Sequence, residues 1–315
     1  VSKQIMKKNT SNYSMMNHKV SYIDTLVFFI LTCLMCSQAV LAAPTTIEIF
    51  GNSGSGQGPA QNVTHTFMLN TNNPTDNVAT TYSPTTTVTY TVTSIYNTAT
   101  YSGQSGQNKP ELTIGGTTNG SSVVATSVLT PLNTIGNAVD TMLSASIQNA
   151  PASCPATGAC PSNNGGINVA ANQGVYFLAL TKSLAGVSGA NSARRKVGSV
   201  KIKFNRPVNN PVLQATGLGG RSGDLGFAAE FTYTGGTAST PVTLKKLSGS
   251  QYFSVSGNNI INTATVITAS STGGGASGSV YIQGKGITEL NFDIYIRGDG
   301  QGPYSTTGGD AFFFG

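Results

Sequence analysis

Nine consecutive residues, Thr85-Thr86-Thr87-Val88-Thr89-Tyr90-Thr91-Val92-Thr93, set the tightest constraint on how this chain folds. Val88, Tyr90 and Val92 share one face, and threonine covers the other. Successive side chains of a strand point to opposite faces, so this alternation predicts a half-buried antiparallel strand.

Similar short runs recur, bounded by Gly, Asn, Ser and Pro. They predict strands at 45–50, 65–69, 174–180, 200–204, 227–233, 252–255, 264–267, 280–282 and 290–296. Helical spacing occurs once, where Leu129, Leu132, Ile135, Val139 and Leu143 permit one short helix with Pro131 in its first turn. The expected fold is all-β: an antiparallel β-sandwich or jelly roll, built as one large sandwich or two β lobes.

Composition narrows the function classes. Charged residues are 9% of the 315, against about 25% in an ordinary domain. Hydrophobic residues are 38%, enough to build a core. Glycine is abundant but follows no three-residue period, which excludes collagen. Two histidines and no tryptophan starve His-based catalysis and metal binding.

Residues 1–42 read as a secretory signal. Lys3, Lys7, Lys8 and Lys19 form the basic region, Leu26–Cys36 the apolar region, and Val40-Leu41-Ala42 the cleavage site. The apolar run is shorter than the roughly 20 residues a spanning helix needs, so no membrane span is expected in the mature chain. The signal takes four of the 17 basic residues and one of the 11 acids, leaving 13 and 10, a net charge of +3 rather than +6. That weakens any case for nucleic acid. The mature part divides into a β-rich region at 43–150 and a β-sandwich region at 151–315, expected to be truncated at its C-terminal end. In an exported chain Cys154 and Cys160 read as a disulfide across a Pro- and Gly-containing loop.

Candidate sites are few. Glu230, between Ala229 and Phe231, is placed to sit in a groove. Asp293 belongs to a solvated strand face. A triad lacks its histidine: only His65 follows the signal, with no G-x-S-x-G motif. Arg297-Gly298-Asp299 is the tripeptide that integrins recognise, and also reads as a polar turn after a strand. No cofactor is expected, with calcium as the one candidate: Asp299 and Asp310 are its candidate oxygen ligands, two carboxylates against the six to eight oxygens calcium takes. Arg194, Arg195, Lys196, Lys201, Lys203 and Arg206 form the one basic cluster, read as an anionic-ligand patch or a solvated strand face. No interleaved aromatics offer a platform for single-stranded nucleic acid.

Several blocks carry a likeness to a known class. They are Gly165–Val169, Ala193–Gly198, Ile202–Leu213, Gly217–Gly220, Gly278–Gly284 and Asp293–Gly300. These Pro-bounded strands and Gly turns resemble the N-terminal β-sandwich regions of large secreted bacterial surface proteins. That resemblance covers residues 160–315. It implies adhesion or lectin-like binding, brings no catalytic residue, and implies further β repeats downstream. The apolar ending Ala311-Phe312-Phe313-Phe314 fits this, as a strand that lacks its partner. The expected function is a secreted, non-catalytic cell-surface structural or adhesin-like module, its partner a host or environmental surface glycan or protein. The alternative is a lectin-like carbohydrate-binding module assisted by calcium.

Overall fold

The computed structural model describes residues 45–50, 56–73, 79–95, 111–119, 122–124, 126–131, 173–184, 191–270, 273–303 and 308–315. The expected signal at 1–42, Cys154 and Cys160 lie outside the described residues.

The first strands are β1 (Thr45–Phe50), β2 (Asn62–Asn73), β3 (Ala79–Thr80), β4 (Thr87–Ile95), β5 (Leu112–Ile114), β6 (Thr117–Asn119), β7 (Ser122–Val124) and β8 (Leu129–Pro131). Then β9 (Gln173–Leu180) leads into a 3-10 turn at Thr181–Leu184. Next come β10 (Arg194–Val208), β11 (Val212–Leu218), β12 (Gly220–Ser222), β13 (Leu225–Thr237) and β14 (Thr243–Gly249). The last five are β15 (Phe253–Ser256), β16 (Asn259–Asn262), β17 (Ala276–Gln283), β18 (Ile287–Gly298) and β19 (Gly309–Phe314).

These strands make an all-β sandwich of two antiparallel sheets. One sheet runs β1-β2-β4-β10-β18-β13-β16-β15, with β3 on β2 and β12 on β13. The other runs β14-β17-β11-β19-β9-β5, with β8 on β9. A small ribbon pairs β6 with β7. Each sheet draws strands from both sides of residue 150.

The period of two decides what is buried. Val88, Tyr90 and Val92 of β4, Val200 and Ile202 of β10, and Leu290, Phe292, Ile294 and Ile296 of β18 all face the core. Aromatic rings fill its centre. Phe177 of β9 stacks on Phe312 of β19 at 5.1 Å between centroids. From the opposite sheet, Phe231 of β13 meets Phe312 at 4.9 Å and Phe314 at 4.7 Å. Such contacts add to the roughly 1.5–3 kcal/mol gained by burying each large side chain.

Three expectations change in detail. Strand β19 has its partners within this chain, pairing with β9 along one edge and β11 along the other. Leu129–Pro131 forms strand β8 rather than a first helical turn, because it pairs with Gln173–Val175 of β9; residues 132–150 lie outside the described set. Residues 264–267 are not a strand. Side chains capture the main-chain N–H groups a ladder would need: Asn262 Oδ1 accepts from Ala264, and Asp299 Oδ2 from Ile267.

One carboxylate ties the sheets together. Asp310 of β19 is buried, and its Oδ2 accepts the Ala229 N–H of β13 at 2.5 Å. Its Oδ1 accepts the Gly219 N–H at 3.2 Å. Ala229 falls between the stretches of β13 that pair with β12 and β16, so the carboxylate supplies an acceptor where no strand does.

Phe314→Ala removes a fully buried ring from the central cluster and is expected to cost about 3–5 kcal/mol in urea unfolding. Asp310 generates a pH dependence. Burial pushes its carboxyl from the ordinary 3.8 up to about 7, against the opposing pull of the Ala229 and Gly219 N–H groups. The folded chain therefore binds this proton more tightly than the unfolded chain. Stability from the group is full below the unfolded value and is lost as pH rises through the folded one. Over that window the expected loss approaches about 1.4 kcal/mol per pH unit. The unfolding free energy of the native chain minus that of Asp310→Asn, followed with pH, reads this directly; a flat difference contradicts it.

Candidate functional site

The polar face of the larger sheet follows from the same alternation. With Leu290, Phe292, Ile294 and Ile296 inward, β18 turns Glu289, Asn291, Asp293, Tyr295 and Arg297 outward. With Phe227, Ala229 and Phe231 inward, β13 turns Ala228, Glu230 and Thr232 outward. Cross-strand register then brings distant residues together: Arg194 of β10 opposite Arg297, and Glu230 opposite Tyr295.

Two arginines directly opposite each other repel. Glu230 resolves this from the next strand. Arg194 Nε donates to Glu230 Oε2 at 2.7 Å, and Arg297 Nε donates to Oε1 at 2.7 Å. Each carboxylate oxygen thus has its own guanidinium. The Glu230 side chain is only 3% exposed although it stands on the outer face. Arg194 and Arg297 remain 32% and 22% exposed. Further contacts hold each fork. Arg194 Nη2 donates to Thr232 Oγ1 at 3.1 Å, and its guanidinium carbon lies 3.6 Å from the centre of the Tyr295 ring. Arg297 Nη2 donates to the Asn262 carbonyl at 2.6 Å.

The segment 263–270 crosses the outer face as a strap beside this cluster. Ala264 and Ile267 pack on Ala228 beneath it. Asn262 anchors one end, its Nδ2 donating to the Leu218 and Gly274 carbonyls at 2.8 and 2.7 Å. Asp299 anchors the other. Its Oδ1 accepts the Gly226 and Gln301 N–H groups, and its Oδ2 accepts that of Ile267. Glycine is required at 226, because a Cβ there would meet Asp299 Oδ2 and the Ile267 carbonyl. Between strap and sheet lies an open groove of about 800 Å³, lined by Arg194, Glu230, Asn259, Asn262, Arg297 and Gln301 among others.

The basic cluster is largely neutralised across strands. Besides Arg194, Lys196 pairs with Asp293 at 2.7 Å, Lys201 with Glu289 at 3.3 Å, and Arg206 with Glu48 at 3.0 Å. A hydrogen bond from Asn291, then Lys201, holds the Glu289 carboxyl below its ordinary range. Arg195 and Lys203 are exposed and form no ion pair among the described residues. Asp299 and Asp310, the residues expected to hold calcium, engage separate sets of main-chain N–H groups. Among the described residues no three His, Cys, Asp or Glu side chains gather into a metal site. The Arg297-Gly298-Asp299 tripeptide does not display its acid: the Asp299 side chain is 0% exposed and Arg297 is paired with Glu230.

Sequence reasoning placed Glu230 in a groove and Arg194 in a basic patch. It missed Arg297, Tyr295 and Asn262 as their neighbours. The one sequence signal for Tyr295 and Arg297 is position, the shared outward parity of β18; Asn262, at the end of β16, has none.

Compared with known protein families, characterised proteins and solved structures, the chain matches none.

Glu230→Gln leaves two opposed guanidinium groups without their counter-charge. It is expected to lower unfolding free energy by about 1–3 kcal/mol. Arg195→Gln, at an exposed position with no acid partner, is expected to change it by less than about 0.5 kcal/mol. Chemical denaturation of both variants checks the contrast, and equal small effects would contradict it.

Proposed function

We propose that this chain is a secreted, non-catalytic module of an adhesin-like surface protein, and that it binds a surface glycan in the outer-face groove. The observation that carries the reading is the chemistry of that groove. Its walls offer amides, hydroxyls and guanidinium donors on a rigid sheet. Such groups match the hydroxyls of a sugar chain, and sites built on strands hold their geometry well. Its two carboxylates are spent. Glu230 balances two arginines, and Asp299 serves the strap. Glycoside hydrolysis needs one carboxyl to give a proton and a second to attack or to activate water. Neither residue is placed for that work.

The export-type leader, the low charge of the chain and the resemblance of residues 160–315 to bacterial surface proteins support the same reading. No helix among the described residues is long and apolar enough to cross a membrane.

A glycan array probed with the purified chain tests the proposal, run beside a panel of glycoside and peptide substrates. The expected outcome is saturable binding to a subset of glycans with no product released. Turnover that disappears in Glu230→Gln would overturn the non-catalytic reading, and a blank array would overturn the glycan reading.

A further inference from the structure

Arg194 is held on three sides. Its Nε is bonded to Glu230, its Nη2 to Thr232, and its plane lies against Tyr295. Its Nη1 amino group has no hydrogen-bond partner among the described residues, and about a third of the side chain is open to solvent. A guanidinium fixed in this way has already lost most of its rotamer freedom, and it presents unused donors of fixed geometry at the groove.

The charge of the groove is also defined. Its lining holds two arginines, Arg194 and Arg297, and two acids, Glu230 and Asp299; with Arg221 beside Asp299 the cluster carries one surplus positive charge. The remaining acid, Asp299, faces three N–H groups and Arg221 at 3.7 Å. The other polar walls, Asn259, Asn262, Thr265 and Gln301, are neutral. One surplus guanidinium among neutral amides and hydroxyls is the complement of a sugar that carries one carboxylate among its hydroxyls. A nucleic acid would demand several cations for its regularly spaced phosphates.

We infer that the ligand of the groove is a carboxylated polysaccharide of the uronic-acid type, with Arg194 as the residue that selects its carboxylate. This rests on the reading of the groove as a glycan site. It deepens that reading by naming a ligand class and a specificity residue.

Titration calorimetry with the full chain tests it. The probes are alginate oligosaccharides, neutral dextran oligosaccharides of matched length, and dextran sulfate. The variants are Arg194→Gln, Arg194→Lys and Lys203→Gln, each checked for a cooperative thermal transition above the temperature of the titration. Lys203 lies farther along β10 and is not part of the groove lining. The alginate oligosaccharides are expected to bind at least about tenfold more tightly than dextran, the value of one charge-assisted contact. Arg194→Gln is expected to lose about that factor. Arg194→Lys is expected to lose most of it, because an ammonium cannot reproduce the fork. Lys203→Gln is expected to bind as the native chain does. If Arg194→Gln fails to fold, Arg194→Lys carries the comparison.

Equal affinity for alginate and dextran would overturn the carboxylate assignment while leaving the glycan reading intact. No binding of either would overturn both. Tighter binding of dextran sulfate than of alginate would replace carboxylate by sulfate. Equal losses in Lys203→Gln and Arg194→Gln would reduce the effect to diffuse surface charge and overturn the role given to Arg194.

Discussion

Phe231, Phe312 and Phe314 pack ring against ring between the sheets, and the outward side chains beside the candidate site take their places from that contact. Side chains on a strand alternate, so burying Phe231 turns Glu230 and Thr232 to the outer face. Burying Ile294 and Ile296 does the same for Tyr295 and Arg297. A slip of one residue would drive Arg297 into the core and put phenylalanine in water. The aromatic cluster therefore fixes the site as well as the fold. Because β19 supplies two of its three rings, the last strand of the chain is as central to the packing as any before it.

The outer face shows how a chain with few ions uses them. Isolated surface ion pairs contribute about 0–1 kcal/mol, and Lys201 with Glu289 is such a pair. Glu230 differs because it is almost wholly removed from water. A carboxylate there is tolerable only with its oxygens occupied, and the two guanidinium groups occupy them. The repulsion between Arg194 and Arg297 disappears in the same contact. What remains is a stiff array with one surplus positive charge beside neutral amides. Asn262 and Asp299 complete it. They use side-chain oxygens and main-chain N–H groups to hold a strap across Ala228, and the strap makes a flat sheet concave.

Much of the fold was legible in the sequence because alternation is local. Val88, Tyr90 and Val92, and the run from Leu290 to Ile296, state which face is buried without reference to any other strand. The all-β sandwich followed from enough such runs. What stayed hidden depends on register, which no single segment carries. Glu230 meets Arg194 and Arg297 across separations of 36 and 67 residues. Along the sequence the basic residues of β10 look like one cationic run. In space their acids arrive from β1, β13 and β18. Residues 264–267 have strand-like composition, but Asn262 just before them and Asp299, 32 residues beyond Ile267, hold them as a strap. The phenylalanines of 312–314 looked like a strand without a partner because β9 and β11 stand far back in the sequence.

The proposed glycan site centres on the Arg194–Glu230–Arg297 array. Isotope-edited NMR of the arginine Nε–Hε groups tests it most directly. Hydrogen bonding to Glu230 should give Arg194 and Arg297 slowly exchanging Nε–Hε signals in the free protein, assigned by Arg→Lys substitution. Titration with alginate oligosaccharides should shift both signals together and to saturation. If the ligand saturates while those two signals stay in place and others move, the binding surface lies elsewhere and the account is contradicted.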